Sequence, residues 1–141
     1  MPGIDECLLE AMTVHGARGA AVIEWTSGLA LGMVGETRGG DPEATAAETA
    51  ELARMAAEQT AFAALMADDT GTDTGAEDEA AGAAPVEDVI VTTRTCYHLL
   101  RFVDTAFDSG VFLYLWLDRQ EGNLAFARMR LRDLARRLAL I

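Results

Sequence analysis

The sequence predicts a β-sheet covered by helices on both faces, and three stretches of the chain indicate this fold. Residues 111–117, Val-Phe-Leu-Tyr-Leu-Trp-Leu, are apolar without interruption, so an extended segment here must bury both of its faces. Residues 18–34 follow a period of two around Thr26-Ser27-Gly28, as a tight hairpin does. Residues 124–138 repeat leucine and alanine at helical spacing. The first stretch is therefore predicted to be the central strand of the sheet.

Local signals give the remaining elements. Apolar residues between 4 and 12 recur at helical spacing and predict a short first helix that ends at His15-Gly16. Asp41-Pro42 predicts the start of a long helix, because Asp is a good N-cap and Pro fits the first helical position. Helix-forming residues continue from there to Met66. Residues 86–103 have strand character but are too many for one strand, so we expect a turn near residues 93–95. The predicted order is helix, two strands, long helix, three strands, helix.

The long helix carries more apolar surface than one contact with a sheet requires. Four large apolar side chains and one glutamine recur on it at alternating spacings of three and four residues. These residues are Leu52, Met55, Gln59, Phe62 and Met66. Such a stripe packs on a sheet or on a second copy of the same helix. Many alanines widen the apolar surface further, so we expect two buried faces, one of them in a subunit interface.

A segment at about residues 68–85 has a different composition. It contains small and acidic residues and no basic one, which predicts a mobile surface insertion within a single domain of residues 1–141. Its start resembles a calcium loop, but Asp73 stands where such a loop needs Gly, and Ala80 where it needs Glu. We therefore expect no calcium site there.

Composition excludes several classes of function. The net charge of −12 and the pI of about 4.4 argue against general nucleic-acid binding, because phosphates repel such a surface. No apolar run reaches the roughly 20 residues of a membrane span, and the acidic N-terminus is unlike a secretory signal. Two cysteines, Cys7 and Cys96, are too few for a disulfide framework. We expect a cytoplasmic protein without membrane insertion.

No catalytic or cofactor motif is visible. Without lysine the chain cannot form a Walker-A loop, and its glycines do not form the dinucleotide fingerprint. A Gly-x-Ser-x-Gly elbow is also missing from the sequence. Cys96 and His98 share a strand face but would make a metal site only if Cys7 and His15 came near. We therefore expect no enzymatic activity and no cofactor or metal site.

Basic residues are concentrated at the end of the chain. Residues 119–141 contain six arginines against Glu121 and Asp133. Charges on an amphipathic helix mainly form its solvated side, and this is the interpretation we favour. Docking of an acidic partner is the alternative.

Three segments and the order of elements resemble the Roadblock/LC7 family, in particular its bacterial, small-GTPase-associated type. Residues 15–23, His-Gly-Ala-Arg-Gly-Ala-Ala-Val-Ile, are similar to that family's entry into its first strand. Residues 27–31, Ser-Gly-Leu-Ala-Leu, resemble its hairpin, and residues 122–128 the start of its last helix. The resemblance covers nearly the whole chain except residues 68–85. The acidic insertion and the turn at 93–95, which lacks a Gly-like signal, depart from the family's pattern.

The resemblance implies an α+β fold with three layers, α/β/α. Its five-stranded antiparallel sheet has the order 2-1-5-4-3, with the long helix on one face and the N- and C-terminal helices on the other. This order places residues 111–117 in the centre, in agreement with their unbroken apolar run. It leaves residues 86–93 at an edge, where a strand is a template for pairing with another chain.

The resemblance also implies a non-enzymatic, dimeric regulator or scaffold that pairs third strands and long helices across a two-fold axis. Its partner would be a Ras-like small GTPase, which it activates or localises. The predicted dimer interface consists of Leu52, Met55, Gln59, Phe62, Met66, Val89 and Val91. The predicted partner-binding residues are Glu48, Glu51 and Glu58. The alternatives are a small-molecule-sensing regulatory domain and a structural adaptor with no GTPase partner.

Overall fold

A computed structural model describes residues 2–36, 40–59, 61, 86–104 and 110–140 of the chain. The main elements of these residues are three helices and five strands in the predicted order. They are α1 (Pro2–Ala11), β1 (Ala17–Glu24), β2 (Leu29–Gly35), α2 (Pro42–Ala57), β3 (Asp88–Thr92), β4 (Cys96–Val103), β5 (Val111–Asp118) and α3 (Leu124–Ala139). No helix within these ranges is long and apolar enough to cross a bilayer.

The strands form an antiparallel sheet with the order β2-β1-β5-β4-β3, which confirms the predicted fold. β5 lies in the middle, where it pairs with β1 on one side and with β4 on the other. β2 and β3 form the edges of the sheet built by the described residues. The edge position of β3 is the one that matters for association with another chain.

β5 buries both of its faces, as its apolar sequence predicts. Leu113, Leu115 and Leu117 belong to a core shared with α1 and α3. Phe112 and Tyr114 belong to a second core on the opposite face, which is shared with α2. The sheet is therefore the middle layer of three, with α1 and α3 on one face and α2 on the other.

The helix α2 packs on the sheet through small side chains only. The Asp41 carboxylate caps its start by accepting hydrogen bonds from the backbone N–H groups of Glu43 and Ala44. Its buried residues are Thr45, Ala46, Thr49, Ala50 and Ala53. The helix makes its main contacts with β1 and β2. It therefore lies to one side of the sheet and leaves part of β3 and β4 beside it uncovered.

The prediction that the long helix continues to Met66 is wrong, because α2 ends at Ala57. The Glu58 N–H donates to the Arg54 carbonyl oxygen, and the Gln59 side-chain amide donates to the Met55 carbonyl oxygen at 2.9 Å. The second bond satisfies a carbonyl group that the next helical turn would otherwise use. Phe62, Met66 and the acidic segment 68–85 lie outside the described residues.

The predicted turn between β3 and β4 is confirmed, and a threonine side chain explains why it needs no glycine. The Thr93 N–H donates to the Cys96 carbonyl oxygen at 2.9 Å, and the Cys96 N–H donates to the Thr93 hydroxyl at 3.0 Å. A hydroxyl that bonds neighbouring backbone groups in this way stabilises a turn. The register of β3 against β4 follows from it, with Val91 opposite His98.

Two segments that carry the family resemblance meet at the N-terminal ends of β1 and α3. The Asp118 N–H donates to the Gly16 carbonyl oxygen at 2.8 Å, and the Gly122 N–H donates to the Asp118 carbonyl oxygen at 2.9 Å. A Cβ atom on Gly16 would lie 2.7 Å from the Gly122 nitrogen. Both glycines are therefore required by the close approach of two backbone segments.

The helices α1 and α3 are joined by a charged pair at their surface and by a cysteine beneath it. The two terminal guanidinium nitrogens of Arg137, Nη1 and Nη2, donate to the Glu10 carboxylate at 2.7 Å. These bonds lower the pKa of Glu10 below its ordinary value. The buried Cys7 thiol lies 3.7 Å from the Leu134 carbonyl oxygen. Burial raises the pKa of this thiol to about 11.

Candidate interaction surface

The predicted site residues that the structure describes cluster on one side of the molecule. We call this region the α2 surface; it consists of the outward-facing side of α2 and the part of β3 and β4 beside it. Leu52 and Met55 point away from the sheet, with 38% and 56% of their surface exposed. The large apolar side chains of α2 are thus not what attaches the helix to the sheet.

A groove of about 200 Å³ runs between α2 and the strands β3 and β4. Its lining residues are Glu48, Thr49, Leu52, Val91, Thr93, His98, Leu100 and Tyr114. The structure therefore brings together Leu52 and Val91, which the sequence analysis assigned to the same interface. Glu48, which it assigned to partner binding, lies in the same groove.

The floor of the groove contains residues that were not predicted to belong to an interface. The buried His98 Nδ1 lies 2.8 Å from the Tyr114 hydroxyl, at hydrogen-bonding distance across β4 and β5. Leu100 pairs with Tyr114 in the strand register and is also buried. The signal that could have found them is their spacing of two on β4, since residues 98 and 100 share one face of a strand.

The edge strand β3 forms the far side of the groove. Val91 pairs with His98 and Val89 with Leu100, and both valines are partly buried. Val89 packs against the α2-side core. The backbone edge of β3 and the exposed Leu52 are therefore neighbours on one surface, although 36 or more residues separate them in the chain.

The charge of the α2 surface is negative. Glu48, Glu51 and Glu58 are all exposed, and Glu51 accepts a hydrogen bond from Arg54 at 2.6 Å. Gln59 is exposed as well, but its side-chain amide is bound to the backbone of α2. Two further predicted interface residues, Phe62 and Met66, lie beyond the last described residue of this region.

An arginine and a tryptophan form the end of the α2-side face near the start of β1. The Arg18 guanidinium lies 4.4 Å from the centre of the Trp116 ring, within the range of a cation–π contact. Arg18 also donates two hydrogen bonds to the Glu36 carboxylate, at 3.1 and 3.2 Å. These bonds lower the pKa of Glu36.

The candidate metal ligands are not brought together. Arg18 Nη1 lies 3.9 Å from the Cys96 sulfur, so Cys96 and His98 belong to the α2 side of the sheet. Cys7 belongs to the core on the opposite side. No group of three or more possible ligands occurs within the part of the chain that the structure describes.

Comparison with known proteins identifies the fold through structure and not through sequence. No protein-family model and no curated protein matches the chain. MglB from Myxococcus xanthus matches with a TM-score of 0.60 at 14% identity, over 99% of this chain and 90% of that one. A Roadblock/LC7 domain from Streptomyces avermitilis matches with a TM-score of 0.61 at 15% identity, over 93% and 90% of the two chains.

A third solved structure, the gliding protein MglB from Thermus thermophilus, is similar to the same extent. Its TM-score is 0.62 at 16% identity, over 99% of this chain and 87% of that one. Likenesses at these identities establish a shared fold. The chain therefore has a Roadblock/LC7-type fold, in agreement with the resemblance of its sequence segments.

Proposed function

We propose that this chain, with its Roadblock/LC7-type fold, is a non-enzymatic regulator or scaffold that forms a homodimer and binds a Ras-like small GTPase. The observation that carries the proposal is the α2 surface. There, the exposed Leu52 lines the same groove as Val91 of the edge strand β3, and Met55 is exposed three residues further along α2. Exposed apolar groups beside an unpaired strand edge are what a protein interface requires.

The proposed dimer pairs two copies of β3 and packs their α2 helices side by side. Backbone groups along the edge of β3 would form the new hydrogen bonds, while Leu52, Met55, Val89 and Val91 would lose contact with water. Gln59, Phe62 and Met66 belong to the same proposed interface. One matching solved structure, "MglB with tetrameric arrangement", is that of a self-associating protein with the same fold, at a TM-score of 0.63 and 19% identity.

The proposed GTPase site uses the acidic positions of α2. Glu48, Glu51 and Glu58 are exposed and could pair with basic groups on a partner. The chain has no lysine and no Walker-A motif of its own. It would therefore change the rate of GTP hydrolysis by the GTPase through repositioning of the GTPase's own residues. A localising role needs only the binding step.

A small-molecule sensor is the weaker candidate for the α2 surface. Ligand pockets usually hold about 300–1,000 Å³, whereas the groove beside α2 measures about 200 Å³. The fully buried side chains of Phe112 and Ile23 belong to the core beneath it. These volumes favour a protein interface over an enclosed ligand site.

The dimer is tested by Met55→Asp, because a charge placed in a desolvated helix interface is strongly unfavourable. Leu9→Asp is the matched control, since Leu9 is 63% exposed and Met55 56% exposed, but Leu9 lies on α1, across the sheet. Size-exclusion chromatography with light-scattering detection should show a dimer for the parent and for Leu9→Asp, and a monomer for Met55→Asp. A parent protein that remains monomeric at about 100 μM, well above the Kd of a stable dimer, would refute the proposed assembly.

The partner is tested by capture from the source extract in the presence of GDP or of a non-hydrolysable GTP analogue, with identification by mass spectrometry. A small GTPase retained in one nucleotide state supports the proposal and shows which state is recognised. Arginine substitution of Glu48, Glu51 and Glu58 should then reduce its capture. Retention of no GTPase in either state would favour the adaptor.

A further inference from the structure

The opposite side of the sheet carries a second groove, which the proposed function does not use. We call it the arginine groove; it lies between β4 and one side of α3. It consists of two adjoining hollows of about 240 and 440 Å³, both of which Arg101 and Arg132 line. Residues of α3 and Leu140, which follows the helix, line the groove. They include Ala125, Arg128, Met129, Arg132, Arg136 and Leu140. These positions recur every three or four residues, so they form one continuous side of the helix.

Cationic groups with free hydrogen-bonding capacity converge on the larger hollow. Arg101 is a strand residue whose side chain is only 16% exposed, and its guanidinium lies 3.7 Å from the Glu87 carboxylate and 3.9 Å from that of Asp88. Arg132 makes one ion pair among the described residues, at 4.0 Å to the adjacent Asp133. Arg136 makes none within the described part of the chain. The exposed guanidinium groups of Arg132 and Arg136 can therefore donate charge-assisted hydrogen bonds to an anion in the groove.

The local charge is opposite to that of the whole molecule. Four arginines and two acids, Asp104 and Glu87, line the two hollows together, although the chain carries a net charge of −12. At the other end of the groove, Asp88 accepts a hydrogen bond from Arg128 at 2.9 Å and lies 3.9 Å from Arg101. The structure itself thus shows a carboxylate bound between two of these arginines.

The groove is also apolar, which distinguishes it from a site for a small anion. Met129 is 54% exposed and Leu140 88% exposed, and both line the groove. Ala135 and Ala139 contribute to the larger hollow. A ligand that uses the whole surface must therefore carry both carboxylates and apolar side chains.

An anionic membrane would share this chemistry but fits the shape of the groove less well. A membrane-binding helix presents a protruding apolar side, whereas these residues line a hollow between a helix and a strand.

We propose that the arginine groove binds an acidic, amphipathic segment of a partner protein. Carboxylates of that segment pair with Arg101, Arg132 and Arg136, while its apolar side chains contact Met129 and Leu140. Because α2 and α3 lie on opposite faces of the sheet, this site shares no side chain with the proposed dimer interface or with the proposed GTPase site.

The test is direct binding of a designed peptide, followed by fluorescence anisotropy. α3 has 16 residues, which corresponds to a length of about 24 Å. The probe is therefore a labelled peptide of about 16 residues that repeats leucine at helical spacing and carries glutamate between the leucines. Two matched peptides replace every glutamate by glutamine or by lysine.

The double variant Arg132→Glu/Arg136→Glu should weaken binding of the glutamate peptide about tenfold or more at about 0.15 M salt, where the Debye length is about 8 Å, because two attractive contacts become repulsive. Arg130→Glu is the control: it reverses one charge on α3, where the double variant reverses two, but Arg130 lies near Glu10 on the α1 side and does not line the groove. Its affinity should stay within about twofold of the parent, since distant surface charges are screened. Arg132→Gln/Arg136→Gln should give an intermediate loss and guards against an effect of misfolding.

Four results would overturn the proposal. The first is equal weakening by Arg130→Glu, and the second is equal binding of the glutamine peptide. The third is stronger binding to vesicles of phosphatidylserine than to the peptide, which would assign the groove to a membrane. The fourth is a large gain in affinity when the six acidic residues of 68–79 are changed to their amides, because the chain would then occupy the groove itself.

Discussion

The close approach of the backbone at Gly122 makes a quantitative prediction about stability. In Gly122→Ala, the new Cβ atom would lie 2.5 Å from Leu117 Cγ and 2.6 Å from the Asp118 carbonyl oxygen. That oxygen accepts the Gly122 N–H at 2.9 Å, so the backbone cannot move away without weakening the bond. Forcing a methyl group into a packed site costs about 1–3 kcal/mol, and a weakened hydrogen bond about 1 kcal/mol more. We expect a loss of about 3 kcal/mol in the free energy of unfolding.

The expected change in melting temperature follows from the length of the chain. For 141 residues, the entropy of unfolding is about 0.3 kcal/mol per kelvin. Gly122→Ala should therefore lower Tm by about 10 °C. Gly40→Ala is the control, because Gly40 has a φ of 76° but no atom of the described residues lies within 4 Å of its Cβ position. It should lose only about 1 kcal/mol, or about 3 °C, from the strained backbone.

Both variants are compared with the parent by circular dichroism, in thermal and in urea unfolding. All proteins are measured at one concentration, because any self-association adds concentration-dependent stability. Equal losses for Gly122→Ala and Gly40→Ala would show that the close contact at Gly122 relaxes at no cost. That result would contradict the explanation given for this glycine.

Three further predictions concern single side chains. Tyr114→Phe should destabilise the fold by about 1 kcal/mol in urea unfolding, because it removes the hydroxyl that lies 2.8 Å from His98 Nδ1. Arg137 lowers the pKa of Glu10 from 4.5, so this pair stabilises the folded chain above pH 4.5, and the contribution disappears as the pH falls through the folded-state pKa. Glu10→Gln should therefore flatten the decline of stability below pH 4.5. The Cys7 thiol, with its pKa raised to about 11, should resist a thiol reagent at about pH 8 until the protein is unfolded by urea; rapid labelling of the native protein at Cys7 would contradict this.

The sequence was most informative where burial alone determines the pattern. The apolar run 111–117 can be satisfied only by a strand covered on both faces, and β5 is that strand. The turn at Thr93 was predicted from strand length, although its stabilising hydroxyl was not. Propensity could not locate the end of α2, because the residues after Ala57 are also helix formers and the end depends on hydrogen bonds of Glu58 and Gln59.

The two surfaces differ in how far the sequence could predict them. Leu52 and Met55 were selected because their spacing is helical, and the structure places both side chains outward. The arginine groove combines Arg101 of a strand with Arg132 and Arg136 of a helix. Only the tertiary fold brings these residues together, so the arginines of α3 by themselves were predicted to be its solvated side.

The thin attachment of α2 has a consequence for the dynamics of the isolated chain. Its buried side consists of alanines and threonines, each of which removes little apolar area from water. An isolated helix of 16 residues is only marginally stable in water, so α2 depends on its packing against the sheet. We therefore expect α2 to open locally at a lower free energy than β5, and its amide hydrogens to exchange sooner. A partner that covers Leu52 and Met55 would slow the exchange of these amide hydrogens. The exchange rate of α2 would therefore report on binding.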